Sequence, residues 1–218
     1  TSSVIVCDVL CRALNANLPN DIVIRDVCEA AADFHAQFSA VRKRYRYTIF
    51  NRQTPCAINR RFCTHIPYRL NAAAMRKAAG FFIGCHDFKS LAASDPARQR
   101  KGIEQNTVRT VFVSELKKTR DYLVYEVVAD GFLYKMVRNI AGTLIGVGCG
   151  QIRADDIPDI LSGKDRGKAG DTAPPQGLCL VEVEYGDNQS LLKGRSVSGY
   201  RCAVKTGRTQ KNNLTSIN

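Results

Sequence analysis

The amino-acid sequence predicts an α+β fold in which a mostly antiparallel sheet is covered by helices. From about residue 71 to 186, the patterns follow the order helix, strand, strand, helix, helix, strand. Hydrophobic residues make up 44% of the 218 residues, which is enough for one good core or two small ones. No internal repeat of short period is visible, which argues against a repeat array.

A half-buried strand with a basic face is predicted at RYRYTIF, residues 44–50. Side chains alternate between two faces along a strand, so Tyr45 and Tyr47 point to one side and Arg44 and Arg46 to the other. Of the two tyrosines, Tyr47 is predicted to be the core residue.

The remaining elements follow from periodicity, capping residues and breakers. Asn71 is predicted to cap a helix over residues 71–84, and Asp130 a second helix from near Phe132 to about Cys149. The other predicted elements are a helix over 9–19, a strand over 22–30, a long loop over 87–106, strands over 107–116 and 122–130, a short helix over 154–161 and a strand over 177–185.

Positive charge is concentrated in one segment of the sequence. The formal net charge is +12, and no acidic residue occurs between Asp33 and Asp87. This basic stretch contains ten cationic residues: Arg42, Lys43, Arg44, Arg46, Arg52, Arg60, Arg61, Arg69, Arg76 and Lys77. It favours a polyanionic partner, nucleic acid before an anionic membrane, with a merely solvated face as the alternative. A basic tail over 188–218 is predicted to be disordered.

The cysteines and histidines do not predict a metal site. The nine cysteines form no C-x-x-C pair, and the three histidines are far apart in sequence. We therefore expect reduced thiols in an intracellular protein, cytoplasmic by default, with an organelle or the nucleus as alternatives. No apolar run approaches the roughly 20 residues that a membrane-spanning helix needs, so no membrane partner is expected.

An arginine, Arg138, lies inside the most apolar helix-like segment, MVRNIAGTLIGVG. An unpaired guanidinium is costly there. We expect Arg138 to bind a carboxylate or a phosphate, or to extend to water at the helix edge. Gly142 lies on the same side of this helix and leaves room for another segment to approach closely.

Six segments, in order, resemble the TruA family of tRNA pseudouridine synthases. They are RALNANLPNDIVI (12–24), FHAQFSAVRKRYRYTIFN (34–51), HDFKSL (86–91), TVRTV (107–111), DGFLYKMVRNIAGTLIGVG (130–148) and APPQGLCLVEVEY (173–185). The resemblance runs from about residue 12 to 186. It implies a pseudouridine-synthase-like fold with two related α/β halves.

The resemblance also implies an activity and a set of site residues. Members of this family isomerise uridine to pseudouridine in the anticodon stem-loop of tRNA, without a cofactor or a metal, usually as homodimers. Arg138 would pair with the essential aspartate of the family, and Tyr45 would stack on the flipped uracil. Lys43, Arg44 and Arg46 would bind the substrate beside Tyr45. For Tyr45, an ordinary position in the core is the alternative.

The Gly-Arg-Thr-Asp motif that carries the aspartate in this family has no counterpart in the sequence. No Arg-Thr-Asp occurs in the 218 residues, and only TSSVIVCDVLC precedes the first matching segment. We therefore expect a truncated N-terminal half over 1–60, a nearly whole C-terminal α/β half over 70–187, and a chain that is inactive as it stands.

Three alternatives belong to other functional classes. The strongest is a catalytically inactive tRNA-binding protein. An RRM-like module is weaker because no RNP1 pattern with paired aromatic residues occurs on a central strand. A basic membrane-surface protein is weaker still, because the cationic face lies on a strand and not on an amphipathic helix.

Overall fold

The strands in the part of the chain that the structure describes form one six-stranded sheet. The computed structural model describes residues 4–94, 96 and 106–186. Chain contacts divide it into two compact units with a boundary between Ala32 and Asp33, and the sheet belongs to the second unit. The predicted tail over 188–218 and most of the second half of the predicted 87–106 loop lie outside the described residues.

The central strand of the sheet is the predicted basic strand. In chain order the strands are β1 (Ala40–Asn51), β2 (Thr64–Ile66), β3 (Gly84–Asp87), β4 (Val108–Thr119), β5 (Tyr122–Ala129) and β6 (Leu178–Tyr185). β5 pairs antiparallel with one side of β1, and β4 and β3 continue the sheet beyond it. On the other side of β1, β6 pairs antiparallel and β2 pairs parallel. The sheet is mixed but mostly antiparallel, which confirms the predicted α+β class.

Helices of the second unit cover one face of this sheet. Helix α1 (Cys7–Asn17) lies in the first unit, and α2 (Ala72–Gly80), α3 (Met136–Gly148) and α4 (Ile157–Gly163) lie in the second. Tyr47 and Tyr125, opposite each other on β1 and β5, are fully buried in one core with Met75 of α2 and Ile140 of α3. Burying an apolar side chain of this size contributes about 1.5–3 kcal/mol. Tyr47 is therefore the core residue that the sequence predicts.

Helix α2 begins where the sequence predicts. The side-chain oxygen of Asn71 accepts hydrogen bonds from the N–H groups of Ala73 and Ala74, both at 3.1 Å. These are donors that have no partner within the helix, so the cap satisfies them. At the other end of α2, the hydroxyl of Ser114 on β4 donates to the carbonyl oxygen of Ala79 at 2.7 Å. The two ends of α2 are thus fixed by side-chain hydrogen bonds.

The predicted start of α3 is wrong. The helix begins at Met136, after Lys135 in a left-handed conformation with φ of 57°. Both carboxylate oxygens of Asp130 lie 3.1 Å from the backbone nitrogen of Thr110, so Asp130 joins the end of β5 to β4 and does not cap the helix. A short acidic side chain that satisfies a strand N–H has the same local sequence signature as a helix cap.

The strand predicted over 22–30 is also wrong, because this segment has no strand structure. The side-chain amide of Asn15, in α1, donates to the carbonyl oxygen of Ile24 and accepts from its N–H, both at 2.8 Å. These two hydrogen bonds use backbone groups that a strand ladder would need. The segment is therefore irregular and attached to α1.

The described residues also bear on redox state, metals and membranes. All eight described cysteines are free thiols. In this part of the chain, no group of three or more His, Cys, Asp or Glu side chains could hold a metal ion. None of its helices has both the length and the apolar character that a membrane crossing requires.

Candidate active site

Arg138 lies in the first turn of α3, and its side chain is only partly buried. Its Nε donates to the carbonyl oxygen of Ala173 at 2.7 Å, and its own carbonyl oxygen accepts from the N–H of Ala173 at 3.1 Å. No carboxylate among the described residues forms an ion pair with it. A guanidinium has five N–H donors, so the terminal nitrogens of Arg138 can still bind an anion.

The segment that holds Arg138 is also attached to the sheet. The hydroxyl of Tyr47 donates to the carbonyl oxygen of Pro174 at 2.7 Å and lies 2.6 Å from the hydroxyl oxygen of Thr64, on β2. Burial raises the pKa of Tyr47, while the hydrogen bond with Thr64 and the positive charge of Arg138 act in the opposite direction. Arg138 and Tyr47 are therefore close enough to interact electrostatically, and the Ala173–Pro174 peptide connects them.

Gly142 allows this segment to approach α3 closely. A Cβ atom at this position would lie 1.6 Å from the carbonyl oxygen of Asp171. No side chain fits there unless the backbone moves. The close approach that the sequence predicts at Gly142 is confirmed.

Sequence reasoning misses Asn139, which anchors the same segment. Asn139 is fully buried, and its Nδ2 donates to the carbonyl oxygen of Leu91 at 2.8 Å. Its Oδ1 accepts from the hydroxyl of Thr172 at 2.6 Å and from Nη2 of Arg166 at 3.3 Å. A buried polar side chain needs hydrogen-bond partners. The position of Asn139 inside an apolar helix is therefore the sequence signal that could have identified it, as it did for Arg138.

Tyr45 lies on the face of the sheet that the helices cover. Its partly buried ring contacts Phe132 edge-on, with centroids 5.0 Å apart and ring planes at 84°. Burial raises the pKa of the Tyr45 phenol, which therefore stays neutral at physiological pH. Phe132 lies just before α3, so Tyr45 and Arg138 are on the same side of the sheet.

Lys43 shares this face with Tyr45. Along the ladder between β1 and β5, Lys43 is opposite Ala129 and Tyr45 is opposite Val127. Ala129 and Val127 are both fully buried in the core. Lys43, which is only partly buried, therefore lies on the same covered face of the sheet as Tyr45.

The other two predicted substrate-binding residues, Arg44 and Arg46, point to the opposite face. Arg44 binds Glu182 on β6 at 3.1 Å, and Arg46 binds Glu126 on β5 at 2.7 Å. Both ion pairs are partly exposed. The structure thus brings Lys43 and Tyr45 to the side of Arg138 and separates Arg44 and Arg46 from it.

Comparisons with known proteins identify the family. The family model described as tRNA pseudouridine synthase matches residues 78–186. The tRNA pseudouridine synthase A of Thermoanaerobacter sp. (strain X514) is 45% identical over 185 residues, which cover 85% of this chain and 73% of that protein. The chain belongs to the tRNA pseudouridine synthase family.

Two further members of the family are similar to this chain over nearly the same length. The tRNA pseudouridine synthase A of Acetivibrio thermocellus is 44% identical over 185 residues, again 85% of this chain and 73% of that protein. That of Bacillus subtilis (strain 168) is 44% identical over 173 residues, or 79% of this chain and 68% of that protein. The resemblance to the TruA family is confirmed.

In this family member, ion pairs formed in the folded chain neutralise half of the positive charges in the basic stretch. Carboxylates among the described residues pair with five of its ten cations: Arg42, Arg44, Arg46, Arg52 and Lys77. Such exposed pairs contribute at most about 1 kcal/mol each to stability, but they reduce the local positive potential. The other five cations, without an ion pair in the described part of the chain, are Lys43, Arg60, Arg61, Arg69 and Arg76.

Proposed function

We propose that this member of the tRNA pseudouridine synthase family isomerises uridine to pseudouridine in tRNA at the face that carries Arg138, Tyr45 and Lys43. The observation that carries the proposal is the set of partners that the guanidinium of Arg138 has in the structure. Nε of its guanidinium donates to the carbonyl oxygen of Ala173, and no described carboxylate forms an ion pair with its terminal nitrogens. The relatives are named tRNA pseudouridine synthase A, and an anion-binding arginine fits that chemistry.

The chemistry explains why the proposed reaction needs no cofactor. Isomerisation breaks the bond between N1 of uracil and C1′ of the ribose, and forms a bond between C5 and C1′. The hydrogen on C5 is lost and N1 gains one, so substrate and product contain the same atoms and no electrons are transferred. The protein has to supply a carboxylate, an orienting cation and a site for the extruded base.

Arg138 is proposed to orient that carboxylate. A guanidinium forms two parallel hydrogen bonds to a carboxylate, which keeps the acid ionised and fixes its direction. The backbone of Ala173 holds the arginine before the carboxylate binds. Asn139 is a positioning residue here, because it holds the segment that contains Ala173 without touching the substrate.

Tyr45 and Lys43 are proposed to bind the RNA. A base that leaves its stack loses a few kcal/mol, and an aromatic ring can compensate for part of this loss. The ring of Tyr45 is only partly buried, and Lys43 on the same face can neutralise a phosphate. Arg44 and Arg46 contribute less in this proposal, because each is already bound to a glutamate on the other face.

Several finer expectations belong to the same proposal. The uridine that is converted lies in the anticodon stem-loop of the tRNA. The protein binds this tRNA as a homodimer inside the cell. Residues 1–60 and 70–187 represent the two related halves of the fold. No Gly-Arg-Thr-Asp motif occurs in the 218 residues, which is the observation that favours tRNA binding without conversion. A catalytically inactive tRNA-binding protein is therefore the second candidate function.

Two measurements test this proposal. In the first, tRNA is incubated with the protein as its source cell makes it and, separately, with the 218-residue chain, and pseudouridine is quantified after digestion to nucleosides. Product with the cellular protein supports the isomerase. Absence of product with both, together with tight tRNA binding, supports the inactive binding protein instead.

The second measurement compares Lys43→Ala with its matched control Arg44→Ala. We expect Lys43→Ala to weaken tRNA binding and to reduce the slope of log affinity against log salt by about 1, because one phosphate contact is lost. Arg44→Ala removes an equal charge from the opposite face and should leave this slope unchanged. If both variants reduced the salt slope equally, the RNA would not be bound on the sheet face that carries Lys43 and Tyr45.

A further inference from the structure

Two cysteines meet in the loop between β1 and β2, among residues without a part in the Arg138 site. Cys56 and Cys63 lie close enough for each side chain to affect the pKa of the other. Asn59 lies between them in sequence and contacts both. Its N–H donates to the sulfur of Cys56 at 3.3 Å, and its carbonyl oxygen accepts from the thiol of Cys63 at 3.2 Å. The loop thus folds both sulfur atoms around one residue.

The sulfur of Cys56 receives a second donor from Tyr122, the first residue of β5. The hydroxyl oxygen of Tyr122 lies 3.7 Å from this sulfur and accepts from Nδ2 of Asn59 at 3.2 Å. Because the amide nitrogen can only donate, the hydrogen of the tyrosine hydroxyl is left to point toward Cys56. An N–H and an O–H therefore converge on one sulfur, an arrangement that stabilises a thiolate.

The two thiols differ in the way that a reactive and a resolving cysteine differ. The N–H of Asn59, followed by the hydroxyl of Tyr122, lowers the pKa of the partly exposed Cys56. Burial raises the pKa of Cys63, which is only 3% exposed. A thiolate beside a protonated second thiol can be oxidised and then captured as a disulfide.

We propose that Cys56 and Cys63 form a dithiol that peroxides oxidise to a disulfide. The Cys56 thiolate attacks one peroxide oxygen, the O–O bond breaks, and the departing hydroxide takes a proton to become water. The sulfur of Cys63 then attacks the sulfur of the resulting sulfenic acid. The S–S bond forms, the S–O bond breaks, and the hydroxyl group leaves as water with the Cys63 proton. Together the two thiols lose two electrons, and one molecule of hydrogen peroxide is reduced to two molecules of water.

The disulfide closes a short ring within a loop that faces solvent. The side chains of Ile58 and Phe62 are 90% and 74% exposed, and those of Arg60 and Arg61 are exposed as well. Oxidation therefore fixes the shape of a basic and apolar surface loop. The proposal concerns the thiols alone and does not depend on the proposed RNA activity.

The experiment treats the folded 218-residue chain with less than one equivalent of hydrogen peroxide, blocks the remaining thiols with N-ethylmaleimide and maps tryptic peptides by mass. Trypsin cuts after Arg52, Arg60, Arg61 and Arg69, so Cys56 and Cys63 fall on separate peptides, 53–60 and 62–69. We expect these two peptides to be joined by a disulfide. We also expect Cys56 to react roughly five- to tenfold faster than the exposed Cys85, which lies outside the cluster.

Variants distinguish this pair from general oxidation. Cys63→Ser should leave a sulfenic acid at Cys56 that a 1,3-dione traps, Tyr122→Phe should slow the oxidation of Cys56, and the control Cys85→Ser should change neither. Disulfides that join Cys56 to other cysteines, or equal rates at Cys56 and Cys85, would overturn the proposal. An unchanged Cys56 rate in a folded Tyr122→Phe variant would remove the assigned role of the tyrosine.

Discussion

At the scale of single residues, the described part of the chain contains two buried serines with different surroundings. The hydroxyl of Ser114 donates to Ala79 at 2.7 Å and lies 2.8 Å from the hydroxyl of Tyr125, whose pKa burial raises. The hydroxyl of Ser90 is fully buried and has no hydrogen-bond partner among the described residues. The two hydroxyls should therefore contribute differently to stability.

We predict that Ser114→Ala lowers the free energy of unfolding by about 1–3 kcal/mol, because it leaves buried polar groups unsatisfied. Ser90→Ala removes a hydroxyl without a partner and should leave stability unchanged or increase it. Urea unfolding of both variants measures the difference. A loss in Ser90→Ala as large as that in Ser114→Ala would show that the hydroxyl of Ser90 has a partner.

The sequence identifies individual site residues where one side chain conflicts with its surroundings. Arg138 was predicted as a site residue because it interrupts an apolar helix, and Asn139 could have been found in the same way. Ala173 could not, because it takes part through its backbone groups, which no side-chain pattern describes. The assignment of Tyr45 rests on family resemblance, since its alternation pattern fits an ordinary core residue equally well.

At the scale of elements, the contact between α3 and the segment that includes Asp171 and Ala173 needs a glycine. We predict that Gly142→Ala lowers the free energy of unfolding by about 1–3 kcal/mol, because the new methyl group overlaps the carbonyl oxygen of Asp171. It should also impair pseudouridine formation by displacing Ala173 from Arg138. Thermal unfolding and the nucleoside assay measure the two effects.

Gly80, in α2, is the matched control for this substitution. No atom lies within 4 Å of the position of its missing Cβ, so Gly80→Ala should stabilise the protein. The expected gain is about 0.5–1 kcal/mol, from reduced backbone freedom in the unfolded chain. If Gly142→Ala and Gly80→Ala changed the unfolding temperature in the same direction, the close approach at Gly142 would not be rigid.

Local patterns predicted most elements correctly, and the errors arise where contacts with other segments use the residues or where a strand is very short. The Asn71 cap and the alternation in β1 are properties of a few consecutive residues, so the sequence contains them completely. The segment 22–30 has a strand-like composition, but Asn15 of α1 occupies its backbone groups. β2 is only three residues long and is too short for a periodic pattern.

At the scale of the whole molecule, net charge predicted the class of partner but not which surface of the protein would bind it. The charge of +12 is a sum over the sequence, whereas the local potential depends on which cations meet carboxylates. Arg46 pairs with Glu126, 80 positions away, and Arg44 with Glu182, 138 positions away. Only the fold brings these residues together, so the sequence could not show which cations of the basic stretch are paired with carboxylates.

The measurement that tests the central claim most directly is pseudouridine formation in tRNA by the cellular protein and its Arg138→Ala variant. Affinity for tRNA and unfolding temperature serve as controls. If Arg138 orients the reactive carboxylate, the variant should bind tRNA with nearly unchanged affinity, remain folded and form almost no pseudouridine. A variant that forms pseudouridine at the rate of the unmodified protein would contradict the account.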